Sequence, residues 1–313
     1  MNKFIVLFII HFFLFGSYSG GYPGANFNYG SNAKDIALSR STLSTYNKGF
    51  NAFINPALLP QIKNNEYGFS YFFMSLDRSV QTLSISRPLP PSAGVSLSIF
   101  SSGTKNILNT NSFGSSIGKL SHSEGYGMLS FGVDLGALSG GFNIKAYFNN
   151  LDKHSAKGIG FDIGFLYARN YTNIAFKINN LSSGYSWDIN ANQYEEKIPV
   201  NYSLGASYSK FKNLLLSSQI NWMTIIEEPL NSKEKLYSKF HFGAEYLLNY
   251  KSTFPISIRM GIKELNNDLS FSLGFGMPFR IGEKIKLHWD YALDPGMMSE
   301  GISHLFSFTM EKN

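Results

Sequence analysis

Long stretches of this chain alternate one apolar residue with one small or polar residue, and few folds tolerate that period of two. Phe161, Ile163, Phe165 and Tyr167 alternate with Asp162 and Gly164. Leu269, Phe271, Leu273, Phe275 and Met277 alternate with two serines and two glycines. Successive side chains of a strand point to opposite faces, so each stretch reads as a strand with one apolar and one polar face. A soluble sandwich also alternates, but it turns its apolar face inward and shows charge to water. Here the polar faces are largely serine, glycine and asparagine, and charged residues make up only 15% of the chain, well under the usual quarter. A polar face with few charges suits a narrow, partly filled lumen, and a uniform apolar face suits lipid. The fold class expected is therefore all-β: a transmembrane antiparallel β-barrel.

Fourteen strands follow from the pattern: 66–77, 78–87, 93–101, 125–135, 138–148, 159–168, 171–179, 197–208, 212–223, 237–248, 254–263, 268–278, 284–292 and 303–311. Each is about nine to twelve residues long, enough for a tilted strand to cross an outer membrane. The even-numbered connections are all short. The long ones, 102–124, 149–158, 180–196, 224–236 and about 292–302, are all odd-numbered. Outer-membrane barrels sort their connections this way, with short periplasmic turns and long outer loops. Trp187, Trp222, Trp289 and Tyr291 lie near strand ends, where interface girdles of aromatics are expected.

Three segments precede or compose this barrel. Residues 1–19 read as a signal peptide: Lys3 supplies the positive start, residues 4–15 are apolar, and Ser17 and Ser19 are small. Residues 20–65 show no strand pattern; within them 33–46 carry a short helical pattern. Residues 66–313 form the barrel. The chain has no cysteine, which excludes disulfides and thiolate chemistry. Its formal charge of +6 comes from scattered lysines, without a basic helix, so nucleic acid is not an expected partner. Outer-membrane lipid is.

A fourteen-strand barrel is too wide for its own side chains to fill, and residues 20–65 are the expected plug. Their end, 49–60, contains Asn55-Pro56, a turn starter because proline restricts the residue before it. Ala57, Leu58 and Leu59 follow and need burial. This stretch, most clearly Asn51-Ala52-Phe53-Ile54-Asn55-Pro56-Ala57-Leu58-Leu59, resembles the N-terminal Asn-Pro-Ala signature of the long-chain fatty acid transporter superfamily, and more closely its PorV/PorQ branch. The tail Gly301-Ile302-Ser303-His304-Leu305-Phe306-Ser307 is similar to the last hairpin of that branch. Leu58 stands where the family usually has glycine. The resemblance implies a plugged barrel with Asn51, Asn55, Pro56, Ala57, Leu58 and Leu59 in the plug. It also implies one of two roles. One is binding secreted cargo or secretion components for type IX secretion. The other is passing a hydrophobic small molecule.

Enzyme chemistry finds little footing. Gly114-Ser115-Ser116-Ile117-Gly118 matches Gly-x-Ser-x-Gly, but that motif acts only at a strand-to-helix elbow, and here it falls in a polar loop. Ser303 and His304 are neighbours on one strand and face opposite ways, which disfavours an outer-membrane phospholipase. His122, His154, His241 and His288 lack metal-ligand spacing. No catalytic residue, metal or cofactor is expected. Lys145, Asp162, Glu245, Arg259, Lys286 and Asp290 fall on the lumen side of their strands. They read either as a selectivity path or as anchors for the plug and for one another, and the second reading is preferred.

Overall fold

The computed structural model describes residues 21–189, 192–228, 233–248, 255–265, 268–281, 285–295 and 301–312. The expected signal peptide lies outside them. Sixteen strands are described: β1 (Asn65–Phe73), β2 (Arg78–Leu89), β3 (Ala93–Thr110), β4 (Ser116–Asp134), β5 (Leu138–Leu151), β6 (His154–Arg169), β7 (Thr172–Leu181), β8 (Gly184–Ile189), β9 (Asn192–Lys197), β10 (Asn201–Tyr208), β11 (Leu214–Glu228), β12 (Lys233–Leu248), β13 (Ile256–Leu265), β14 (Asp268–Ile281), β15 (Ile285–Asp294) and β16 (Ser303–Lys312). Fourteen of them close an antiparallel barrel. Neighbours in the wall are neighbours in the chain, except that β7 pairs with β10, and β1 pairs with β16 to close the ring. Among the described residues no helix is long and apolar enough to cross a membrane.

The alternation sorts side chains between two solvents. Outward-facing Leu97, Leu129 and Phe271 are more than half exposed, as a lipid-facing band must be. Their inward neighbours are buried and polar. Ser84, Ser86, Ser96 and Ser98 bond to one another at 2.9–3.0 Å across β2 and β3, so this patch of the lumen wall meets its own hydrogen-bonding demand.

The long outer connections at 102–124, 149–158, 180–196 and 224–236 prove, among the described residues, to be mostly strand. β3 and β4 run 18 and 19 residues and meet at a tight turn. The ten-residue loop expected at 149–158 is a turn between Leu151 and His154. These extensions are polar on both faces, and without lipid on one side no apolar alternation marks them. The helix expected over 33–46 covers only Ala33–Ala37, because the serines and threonines that follow bond back to their own backbone. Thr45 Oγ1, for example, donates to the Thr42 carbonyl.

The 180–196 connection departs furthest from expectation. It contains the β8–β9 hairpin, which pairs with the upper end of β6 through Ala156↔Trp187 and Lys157↔Ser186. Ser183 and Gly184 cross the inner face of β6 above Gly158 and Gly160. A Cβ on Gly158 would stand 1.8 Å from the Gly184 carbonyl oxygen. The hairpin therefore turns into the lumen. Tyr185 is buried there, and Trp187 packs beside it instead of joining an interface girdle. Trp222, by contrast, lies on the outward face of β11, stacked on Tyr202. β10 begins at Asn201, opposite Met223, while β11 continues upward beside β12 alone.

Candidate functional site

Residues 21–64 occupy the inside of the barrel and seat on glycines. The helix Ala33–Ala37 is capped by Asn32, whose Oδ1 accepts from the Asp35 amide at 3.0 Å, and it packs on β13–β16. The 3-10 turn Pro56–Gln61 packs on β2–β6. Asn55 starts that turn: its Oδ1 accepts from the Ala57 amide at 3.0 Å, and its Nδ2 donates to the Phe165 carbonyl at 3.2 Å. Gly132 and Gly141 lie under Pro56, where any Cβ would come within 2.3 and 2.5 Å of its backbone. Glycine is required here for close approach. Asn51, Asn55, Ala57, Leu58 and Leu59 are all fully buried. Asn51 holds the segment's own turn, accepting from the Asn47 amide at 2.7 Å.

Two ion networks join plug to wall. In the first, Asp162 is fully buried between Lys145 Nζ at 2.8 Å and Lys177 Nζ at 3.7 Å. Asn143 donates to Asp162 at 2.8 Å and to the Ala52 carbonyl of the plug, while Lys177 donates to the Phe53 carbonyl at 2.9 Å. In the second, Arg259 donates to Glu245 at 2.6 Å and to Asp290 at 2.5 Å, and Lys34 of the plug reaches Glu245 at 3.4 Å. Five of the six inward charges picked from the sequence thus fall into two clusters. Lys286 stands apart at the turn end, half-exposed and 3.8 Å from Glu311.

Other anchors had no signal beyond inward parity. Glu66 accepts from Tyr46 and from the Gly49 amide. Glu311 takes Lys48 at 2.6 Å and Asn64 at 2.7 Å. Glu124 takes the Gly24 amide, Asn26 and the Tyr185 hydroxyl at 2.8–3.0 Å. Glu124 falls in the 102–124 connection, where no alternation marks its side. Within the plug, burial pushes the Asp35 carboxyl above its ordinary value, against the opposing pull of Arg40 and a 2.5 Å hydrogen bond from Thr42.

Above the plug a cavity of about 400 Å³ lies toward the long-hairpin end. Phe72, Met74, Tyr237 and Leu305 give it apolar walls, Arg40 and Ile36 a floor, and Lys239, Lys263 and Asp294 a charged rim. Lys263 donates to Asp294 at 2.6 Å. Three of the histidines are otherwise engaged, His122 with Asn149, His241 with Asn221 and the Ser39 carbonyl, and His288 with Lys48, while His154 is exposed on its hairpin. His304 faces outward against Tyr291 while Ser303 faces in. The Gly-x-Ser-x-Gly match crosses the exposed tip of the β3–β4 hairpin, without a strand-to-helix elbow. No group of metal-ligating side chains occurs among the described residues.

A family described as the type IX secretion system membrane proteins PorP/SprF matches residues 37–292. It lies in the secretion pathway that is one of the two roles the resemblance implies, and it does not single out the PorV/PorQ branch. No curated protein matches the chain. Among solved structures, the P. putida toluene transporter TodX superposes with a TM-score of 0.66 at 12% identity, covering 91% of this chain and 98% of that one. The CymD monoaromatic hydrocarbon channel gives 0.63 at 10%, with the same coverage. A Pseudomonas aeruginosa FadL homologue gives 0.58 at 10%, covering 90% and 98%. At such identities the likeness shows the fold alone.

Proposed function

This chain belongs to the PorP/SprF family of type IX secretion system membrane proteins, and on that premise we propose that it is a non-enzymatic outer-membrane barrel that binds secreted or surface proteins in the cavity above its plug. The observation that carries the reading is the seat of the plug on wall glycines, with ion networks on two sides. A lumen filled this way favours holding a partner over conducting one. The cavity's apolar walls and charged rim suit a protein segment that brings both kinds of side chain. A photo-crosslinker at Met74, in a cell that runs type IX secretion, should trap secreted proteins or secretion components. Recovery of the barrel alone would count heavily against this reading.

A second reading, passage of a small apolar solute, draws on the inward β8–β9 hairpin. Above Met223 it leaves β11 without β10 beside it, on the side where the cavity's Asn201 and Met223 lie. Toluene is a suitable probe. Faster toluene uptake by liposomes carrying the barrel, with no protein captured in cells, would favour this second role.

A further inference from the structure

The short-turn rim sorts its charges in a way the binding role does not require. Its acids Glu66 and Glu311 point inward and are consumed by the plug. Lys286 turns in toward Glu311, but other cations of this rim point out. Arg87, Arg169 and Lys312 are exposed at the ends of β2, β6 and β16. Each is the next outward position after an apolar or aromatic residue of the lipid-facing face: Ile85, Tyr167 and Met310.

These cations form two clusters. In the first, Lys312 pairs with Asn65, and Arg87 follows Ser86, the partner of Glu66. Lys312, Asn65 and Arg87 therefore share one row across three adjacent strands, which sets the two cations about 10 Å apart. Lys63 is exposed just below the row and Tyr67 lies just above it. In the second, Lys210 and Lys212 flank Phe211 in the β10–β11 turn. Phe211 is 56% exposed, and Tyr171 beside that turn is 54% exposed. The Ser209 amide bonds the Tyr171 carbonyl at 2.9 Å, joining this turn to the one that carries Arg169. Asp134, an exposed acid among the described residues at this end, is folded back onto its own turn, accepting from the Gly136 amide at 3.0 Å.

We propose that these two clusters bind the phosphate headgroups of anionic phospholipids in the leaflet at the short-turn end, which outer-membrane barrels face to the periplasm. Both clusters continue the lipid-facing band. Both also alternate cations with outward aromatics, the composition of a residue set lying at headgroup level. An acidic protein would need neither the continuity nor the exposed Phe211.

The test uses the purified full-length barrel with equal amounts of phosphatidylglycerol and phosphatidylcholine, reading retained lipid by native mass spectrometry. The wild type should retain phosphatidylglycerol preferentially. Replacing Lys63, Arg87, Arg169, Lys210, Lys212 and Lys312 by glutamine should abolish the preference, at about fivefold per charge. Heat-modifiable migration of the variant in zwitterionic micelles confirms that it folds. Equal retention of the two lipids by the wild type overturns the proposal, as does a folded variant that keeps the preference. A folded variant that keeps the preference but loses cross-links to a periplasmic protein assigns the rim to that protein instead.

Discussion

Asp162 is the residue on which the wall near the plug turns. It is fully buried, and two lysines and an asparagine converge on it. Removing its charge strands both ammonium groups away from water, which costs about 3–5 kcal/mol when one partner of a buried ion pair is lost. Asp162→Asn should lower the urea midpoint of the folded barrel accordingly, and adding Lys145→Met should recover part of the loss. Midpoints that leave the single and double variants equal would contradict this. Asp35 poses the opposite problem, since its carboxyl is held above its ordinary value by burial. Its contribution to stability is full below the unfolded value of 3.8 and is lost as pH rises through the folded value. Asp35→Asn should flatten that part of the profile, so the thermal midpoints of wild type and variant should diverge as pH rises across the window. Parallel profiles would rule this out. Lys145 and Asp162 were legible because Ile144, Phe161 and Ile163 mark their strands' outer faces. Lys177 had the same marking from Phe176 and Ile178 and was overlooked.

At the scale of elements, what the sequence disclosed depended on lipid. Where one face of a strand meets hydrocarbon, as in β14, the apolar period of two appears and strand, face and neighbour can all be read. Where both faces meet water, as in β3 beyond Ser101, serine, threonine and asparagine dominate and the stretch reads as a loop. β8 does carry an apolar period, Tyr185, Trp187 and Ile189 alternating with Ser186 and Asp188, but at six residues it is too short to read as a membrane-crossing strand. The inward turn of the β8–β9 hairpin also rests on something no pattern records, the bare surface of Gly158 and Gly160. Gly158→Val places atoms where the Gly184 carbonyl now sits. It should displace the hairpin while leaving the barrel closed, since the β5–β6 and β6–β7 ladders do not depend on it. Faster proteolysis between β8 and β9, with unchanged heat-modifiable migration, is the expected result. An unchanged cleavage rate would mean that β6 yields instead.

Over the whole molecule, the ring is closed and the interior is occupied. The fourteen ladders close the ring, and the plug spans it from the β2–β6 side to the β13–β16 side. In planar bilayers the full chain should show no open-pore current. Deletion of residues 21–62 should produce discrete conductance steps, because a barrel this wide cannot fill itself with wall side chains alone. Steps of equal size from both proteins would mean that the plug does not seal.

The β1–β16 seam has a further consequence, for the order of assembly. Ser70 and Ser307 touch across it at 2.8 Å, 237 residues apart in the chain. That pairing waits for the last strand to arrive, and contacts of such long sequence separation form slowly. The plug precedes β1, yet it reaches β16 from within: the Ala33 amide bonds Ser307 Oγ at 2.7 Å and Lys48 bonds Glu311. A segment that precedes every wall strand therefore presents a template on which the latest strand can register. Closure and plug docking become one kinetic event, and a barrel made without its plug should close more slowly than the full chain does.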